Sequence, residues 1–599
     1  MKDSNKKIAM KRAIIIYGLV GILLTAPSCN KFLTEEMRSD VSSATYYTTK
    51  DGFEDAVKST YSALKEFWAQ EMGSHMTVFG TDVHTNGADG SHKGINQYDS
   101  RYNPQESYFR NTWNLFYWGI NQANAVLNRG QAIQGIDPAH LNKRFGEVRF
   151  LRALYYFTLV RFYGDVHFSL EETIGVETTA NKTARLTIYD DGIIKDLEFA
   201  IANLPVSPDQ YGRVTKPAAE MLLGKVLLHR GWLSGDAADF NRSASLMETV
   251  INDYSFRLLP DFADIWALDN DVNDEVVWAI QNDGSPIYES RNINDGFRNP
   301  VGDRDMTGRD GNRMHLYFLM EYDKEPGMTR DVENGRPWKR FKPTPYHLSL
   351  WKRDIDSRYD KSYKHVWYVN KPTGNLQMGD TALYLPGPQV EMNITWADVL
   401  AKEYRIYGSK EHYESMLPDI EAYLIAQGRA TDETEKAKVI GEEGYVIYFD
   451  NLYPTLNKWI DPTRPDRQWE EGKRDWFLLR LADAYLIAAE AYFKVGNNVK
   501  AAEMINAIRT RAAWPGKEAA MQITSADVDL NLILEERALE LDGEMQRWFD
   551  LTRTGTLVER VKAYNAEGAA NIKDYHVLRP IPQDQIDRTE GGYEQNDGY

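Results

Sequence analysis

At 599 residues the chain is long enough for several domains or one large mixed one, and its 42% hydrophobic and 26% charged residues exclude a disordered tail, a collagen and a coiled coil. A formal net charge of −18 argues against nucleic-acid binding, since phosphate backbones call for clustered Lys and Arg. One cysteine, Cys29, excludes an internal disulfide, thiolate zinc sites and iron–sulfur clusters.

Lys2, Lys6, Lys7, Lys11 and Arg12 precede an apolar run from Ala13 to Leu24. That run is shorter than the roughly 20 residues a membrane span needs. A basic start, a short apolar core and the small residues that follow read as a secretory signal over residues 1–28. Its end, Thr25-Ala26-Pro27-Ser28-Cys29, resembles a bacterial lipoprotein signal, in which the cysteine becomes the first mature residue and carries lipid; Ala26 stands where such signals usually have Leu. The expected lipid attachment is Cys29, followed by a polar tether from Asn30 to Glu36. An ordinary signal peptide with a stray cysteine is the alternative.

Beyond the tether the first part reads as helices. Trp113, Phe116, Tyr117, Ile120, Asn124 and Leu127 share one helical face. Val148, Leu151, Arg152, Tyr155, Leu159 and Phe162 share another, stopped at Gly164-Asp165. Residues 188–203 and 217–231 continue the pattern across a Pro/Gly turn. From about 270 to 475 Pro, Gly, Asn and Asp recur at short intervals. Long loops are expected there, with short strands, at Glu275–Gln281 and Gly444–Phe449, and a few helices. Leu478 to Tyr492 and Ala502 to Ala512 are again helical stripes. The pair Ala489–Gly496 and Ala501–Glu503, with the similar Leu222–Gly231, has the small-residue spacing of tetratricopeptide helix pairs. The expected fold is mainly α: a tetratricopeptide-like scaffold of helix pairs with a loop-rich inserted region containing short strands. Its parts are a signal (1–28), an N-terminal helical region (29–270), a loop-rich ligand-binding insertion (271–475) and a C-terminal helical region completing the scaffold (476–599).

Charged residues on otherwise apolar helices, Glu147, Arg149 and Arg152, and then Arg547 and Asp550, read as paired structural ions, because buried charges persist when paired. Asp269 to Glu275 begins like a calcium loop. An EF-hand needs Gly sixth and Glu twelfth, and Asp274 and Ile280 stand there. No zincin, nucleophile-elbow or phosphate-loop motif occurs. No catalytic residue, metal or cofactor is therefore assigned.

Blocks in order along the chain carry a family resemblance: Thr48–Phe53, Trp113–Asn124, Gly146–Ala153 with Tyr155–Phe157 and Phe162–Val166, Gly212–Lys216, Leu479–Ile487, Ile505–Ala512, Glu536–Leu541 with Arg547–Leu551, Leu578–Pro582 and Gln595–Tyr599. In this the chain resembles the SusD/RagB family of outer-membrane glycan-binding lipoproteins; Asp597 stands where the family usually has Pro. The resemblance implies a cell-surface protein, lipid-anchored in the outer membrane. It implies capture of oligosaccharide or polysaccharide and delivery to a SusC-like TonB-dependent transporter, without cleavage. A peptide-binding or structural lid of such a transporter is the alternative.

A sugar ring presents an apolar C–H face and a hydroxyl rim, so its site needs an aromatic face beside short polar side chains. Two loop regions qualify. Residues 81–108 offer Asp82, His84, Asn86, Tyr98 and Tyr102, with His92 and Tyr108; residues 281–370 offer Tyr288, Trp338 and Trp351, with Tyr346. The chosen ligand-binding candidates are Asp82, His84, Asn86, Tyr98, Tyr102, Tyr288, Trp338 and Trp351. Each of the aromatics is otherwise a packing residue. Gly335–Phe341 carries three basic groups, facing an anionic sugar or else salt-bridged in a turn.

Overall fold

A computed structural model describes residues 49–282, 311–387, 393–402, 404–447 and 450–599. The signal, Cys29 and Tyr288 lie outside the described residues.

After two N-terminal helices, α1 (Glu71–Val78) leads into strand β1 (His84–Asn86). The long helices then begin: α2 (Ser107–Gly130), α3 (Pro138–Tyr163), α4 (Ile194–Asn203), α5 (Lys216–Ser234) and α6 (Ala237–Asn252). Their ends follow local chemistry. Asp137 caps α3 by accepting from the His140 N–H, Pro138 occupies its first turn, and Gly164 closes it at a φ of 75°. Helix α3 is buried around most of its circumference from Arg144 to Tyr163, so it is a central rod and not a surface helix.

Each helix packs on the next, α2 on α3, α3 on α4, α4 on α5 and α5 on α6. The approach of α6 to α5 depends on glycine: a Cβ at Gly231 would stand 2.8 Å from the Phe240 ring. The stack then skips more than two hundred residues of sequence. Helix α6 packs directly on α10 (Leu481–Lys494), and α10 on α11 (Asn498–Ala512). The pairs form one continuous scaffold built from both ends of the chain, with the mainly helical fold that the apolar stripes predict.

The intervening residues leave and return through a two-strand stem. Strand β2 (Val276–Ile280) pairs antiparallel with β8 (Trp476–Arg480), Val276 opposite Arg480 and Ile280 opposite Trp476. Between them lie β3 (Phe341–Pro343), the short helix α7 (Pro345–Ser349) and a four-stranded mixed sheet. Its strands are β4 (Val366–Tyr368), β5 (Thr381–Tyr384), β6 (Arg405–Gly408) and β7 (Tyr445–Ile447), with β6 parallel to β5 and β7. Two helices, α8 (Lys410–Ala426) and α9 (Glu433–Glu442), make the crossover. They enclose a separate core of Trp396, Val399, Ile406, Met416, Ile420, Leu424, Val439 and Tyr445. The middle region thus holds short strands and a few helices, as expected, with α8 and α9 longer than its spacing of Pro, Gly, Asn and Asp suggests. Pro418 inside α8 breaks the helical reading of the sequence, while apolar contacts with β6 and β7 hold the helix together.

The ion pairs expected from sequence are present. Glu147 accepts from Arg144 at 2.6 Å and Arg213 at 2.8 Å; Arg152 reaches Asp196 at 2.7 and 2.8 Å. Helices α12 (Leu530–Glu540), α13 (Arg547–Arg553) and α14 (Leu557–Tyr564) complete the C-terminal part. Asp550 of α13 is tied to Arg537 of α12 at 2.9 Å and to Arg553 at 3.0 Å. No helix among the described residues is long and apolar enough to cross a membrane.

Candidate functional site

Six of the sequence candidates lie inside the molecule. Asp82 has no exposed surface and accepts from Arg547 and Arg560. His84 bonds Asp542 at 2.7 Å, and the Asn86 amide donates to Glu567. The Tyr98 hydroxyl donates to the Gly80 carbonyl at 2.6 Å, and Tyr102 accepts from Arg579 at 2.7 Å. Trp351 is 1% exposed and wedged against His347 and Tyr359. Their assignment as ligand contacts is corrected: C-terminal helices and turns cover the 81–102 loop, so these side chains are buried against protein and closed to a ligand. Of the described candidates, Trp338 alone is partly open to solvent.

Trp338 sits where the two chosen sequence regions meet. Strand β1 pairs antiparallel with β3, Asn86 opposite Phe341 and His84 opposite Pro343. The pairing continues into the loops, with Gly87 N–H donating to the Arg340 carbonyl at 2.8 Å and Asp89 N–H to that of Lys339 at 3.2 Å. Trp338 and Arg340 donate backbone N–H groups to Leu316 and Tyr317, fixing the loop from its other side. The Trp338 indole packs edge-on against Tyr317 at 5.6 Å, and the guanidinium carbons of Arg340 and Arg336 stand 5.0 and 5.7 Å from its centroid.

A second aromatic pair borders this face. His92 stacks on Tyr108 at 3.6 Å, with planes 16° apart, and its Nδ1 lies 2.9 Å from Glu106. Beneath them His75 of α1 touches His92, Tyr108 and Phe341. Burial, then the neighbouring His92 and Arg340, hold His75 well below its ordinary value, so it is neutral. Glu71, on the first turn of α1, pairs with Arg340 at 2.8 Å. His75 Nε2 and the Tyr317 hydroxyl are buried without a hydrogen-bond partner among the described residues. Such orphans are uncommon in native folds. Sequence reasoning missed Glu71, His75 and Tyr317, which lie on short helices with no local signal.

The loop's basic groups are all neutralised. Arg340 is paired with Glu71 and Asp89, Arg336 with Glu470, and Lys339 with Glu321 at 2.7 Å. Of the two readings open for Gly335–Phe341, the salt-bridged turn is the one present. The face offers an indole and hydrogen-bonding groups, with no free cation among the described residues of the 335–341 loop.

His84, His347 and Asp542 bring three ligand atoms within 4.8 Å of one another. Metal-bound imidazoles ordinarily donate their second ring N–H to an acceptor. Here Nδ1 of both histidines is buried with no partner among the described residues. The donor set fits a carboxylate hub better than an ion: Asp542 bonds His84 at 2.7 Å, takes the Tyr363 hydroxyl at 2.6 Å and lies 3.1 Å from His347.

A tetratricopeptide-like scaffold closed by both chain ends, carrying an aromatic face at a β1–β3 ribbon, defines a class of helical binding proteins. The comparisons specify it. Residues 275–599 match the family model described as the SusD family, and residues 31–228 match one described as starch-binding associating with outer membrane. The chain belongs to the SusD family. A SusD-like protein of Formosa agariphila is 24% identical over 97% of this chain and 99% of its own. The starch-binding protein SusD of Bacteroides thetaiotaomicron is 23% identical over 80% of this chain and 77% of its own. Among solved structures, a laminarin binding SusD-like protein superposes with a TM-score of 0.65 at 21% identity, covering 92% of this chain and all of that one. Surface glycan-binding protein A from Bacteroides thetaiotaomicron, in complex with laminarihexaose, gives 0.64 at 18% identity with 92% of this chain covered.

Proposed function

We propose that this protein is a surface glycan-binding lipoprotein, anchored in the outer membrane through Cys29. It captures an oligosaccharide at the Trp338 face and passes it, uncut, to a TonB-dependent transporter. The observation that carries the reading is the half-buried Trp338 indole, held rigid between Tyr317 and two ion-paired arginines beside the His92–Tyr108 stack. Such an indole covers the C–H face of a pyranose, while Arg336, Asp89 and Tyr108 bond its hydroxyls. The named ligands of the relatives, starch and laminarin, are neutral glucans. A face whose cations are already paired suits a neutral glycan.

Affinity gels and calorimetry of residues 30–599 against neutral and acidic polysaccharides test this. Binding that collapses in Trp338→Ala, with no reducing ends released, is the expected result. A blank against every glycan, or affinity unchanged in that variant, overturns it.

A further inference from the structure

At the far end of the β1–β3 ribbon, where β3 runs into α7, lies a cleft of about 940 Å³. That is within the usual size of small-ligand sites, about 300–1,000 Å³. Trp338 does not line it. Its walls include Tyr346, Tyr564, Lys342, Lys410 and Lys562.

Two observations specify what it fits. The first is a built aromatic platform. Tyr346 and Tyr564 lie face to face, centroids 3.8 Å apart and planes 17° apart. The Tyr346 hydroxyl accepts from Arg560 and donates to Glu535 at 3.3 Å; Arg560 is in turn fixed by Asp82 and Asn531, both at 2.6 Å. The outer ring, Tyr564, is 37% exposed on this fixed base. A platform already ordered loses little entropy when a ligand lands on it.

The second is charge. Three lysines and two glutamates, Glu411 and Glu567, line the cleft in a chain of net charge −18; Lys342 is paired with Asp450, which leaves Lys410 and Lys562. Lys562 has no ion pair among the described residues. Lys410 meets Glu414 only at 3.6 Å between two exposed side chains, a contact of little strength. The described cations of the Trp338 loop are paired, whereas Lys562 and Lys410 keep ammonium groups available in this cleft.

We infer that the cleft is a second saccharide site, which takes an acidic oligosaccharide bearing carboxylate or sulfate groups. Tyr564 covers a ring face, and Lys562 and Lys410 receive the anionic substituents. The inference rests on the glycan-binding reading above and adds a ligand class and a place to it.

The test is calorimetry on the whole mature chain with two probes, a galacturonate tetramer and a sulfated galactan tetramer, in low salt and in 0.5 M NaCl. Lys562→Gln alters an exposed side chain and Tyr564→Ala removes the outer ring of the stack, and thermal melts check that both variants fold. Each is expected to lower affinity for an acidic probe about tenfold, Trp338→Ala to leave it within about twofold, and salt to weaken it. Whichever probe binds identifies the anion. Cleft variants that bind an acidic probe like the parent overturn the inference, as does binding of neutral glycans with neither acidic probe retained; both results leave the Trp338 reading standing. Failure to bind any glycan overturns both.

Discussion

Asp82 and Arg547 are 465 positions apart in sequence and joined by two hydrogen bonds, Nε to Oδ1 at 2.8 Å and one terminal nitrogen to Oδ2 at 2.6 Å. Arg560 adds a third at 2.6 Å. The three side chains clamp the start of β1 to α13 and α14, between the Trp338 face and the Tyr346–Tyr564 cleft.

Burial alone pushes the Asp82 carboxyl up, but Arg547 and Arg560 outweigh it and leave the group at about 2. This lies below the value of about 3.9 in an unfolded chain. The contribution is therefore full above about pH 4 and is lost as pH falls toward 2. Asp82→Asn leaves two buried guanidiniums without their carboxylate and is expected to destabilise the fold by about 3–5 kcal/mol at pH 7. Urea unfolding at pH 7, 4 and 3 checks this: the gap to the parent should narrow toward the acid end, and a gap independent of pH contradicts the assignment.

Trp338 and Trp351 separate binding from folding. Trp338→Ala removes a half-exposed ring and is expected to weaken glycan binding at least about tenfold, about 1.4 kcal/mol, with little change in Tm. Trp351 is 1% exposed, so Trp351→Ala opens a cavity and is expected to cost about 3–5 kcal/mol of stability. Where that variant remains folded, its affinity should match the parent's. Thermal melts with calorimetry distinguish the two; loss of affinity in a folded Trp351→Ala variant would return it to the site.

Gly87 controls how closely the two site-bearing loops meet. A Cβ there would stand 2.3 Å from the Lys339 carbonyl oxygen and 2.9 Å from the Tyr453 hydroxyl. The first obstacle is backbone, which cannot swing aside. Gly87→Ala is thus expected to push the 87–92 loop off the 336–340 loop, breaking the hydrogen bonds from Gly87 and Asp89 that hold the loop carrying Trp338. Glycan affinity should fall about tenfold, by more than Ser91→Ala, a change in the same loop that leaves this contact alone. Equal affinities for the two variants count against the loop-apposition account.

The scaffold was legible in sequence because its helices carry their own signals: Asp137-Pro138 to start α3, Gly164 to end it, and an apolar stripe between. The two regions chosen from the sequence lie side by side in the fold, joined by the β1–β3 pairing and the loop hydrogen bonds that continue it. The choice within them failed for a nonlocal reason. Asp82, His84 and Asn86 resemble a polar surface loop, yet their partners are Arg547, Asp542 and Glu567, more than 400 positions away. No local pattern reveals which C-terminal segment covers a loop. Nor does spacing reveal that Tyr346 and Tyr564 stack, because they come together only when α14 packs beside α7.

The stem that joins the middle region to the scaffold carries its own titrating group. Asp475, just before β8, accepts from the Asn282 N–H and from the Tyr211 hydroxyl, both at 2.8 Å. Burial raises its carboxyl to about 6, with Asp271 adding to the shift and the two hydrogen bonds opposing it. The folded value lies above the unfolded one of about 3.9, so the sign is opposite to that of Asp82. Its contribution to stability is full below about pH 4 and is lost as pH rises through 6. Asp475→Asn keeps a carbonyl for the Asn282 N–H and removes the ionisation. The stability of the variant relative to the parent is expected to rise between pH 4 and 7 and to level off above. Hydrogen exchange at the β2 and β8 amides should follow the same curve, because ionisation of Asp475 loosens the stem before it loosens the helices. Parallel pH curves for parent and variant would remove Asp475 from this role.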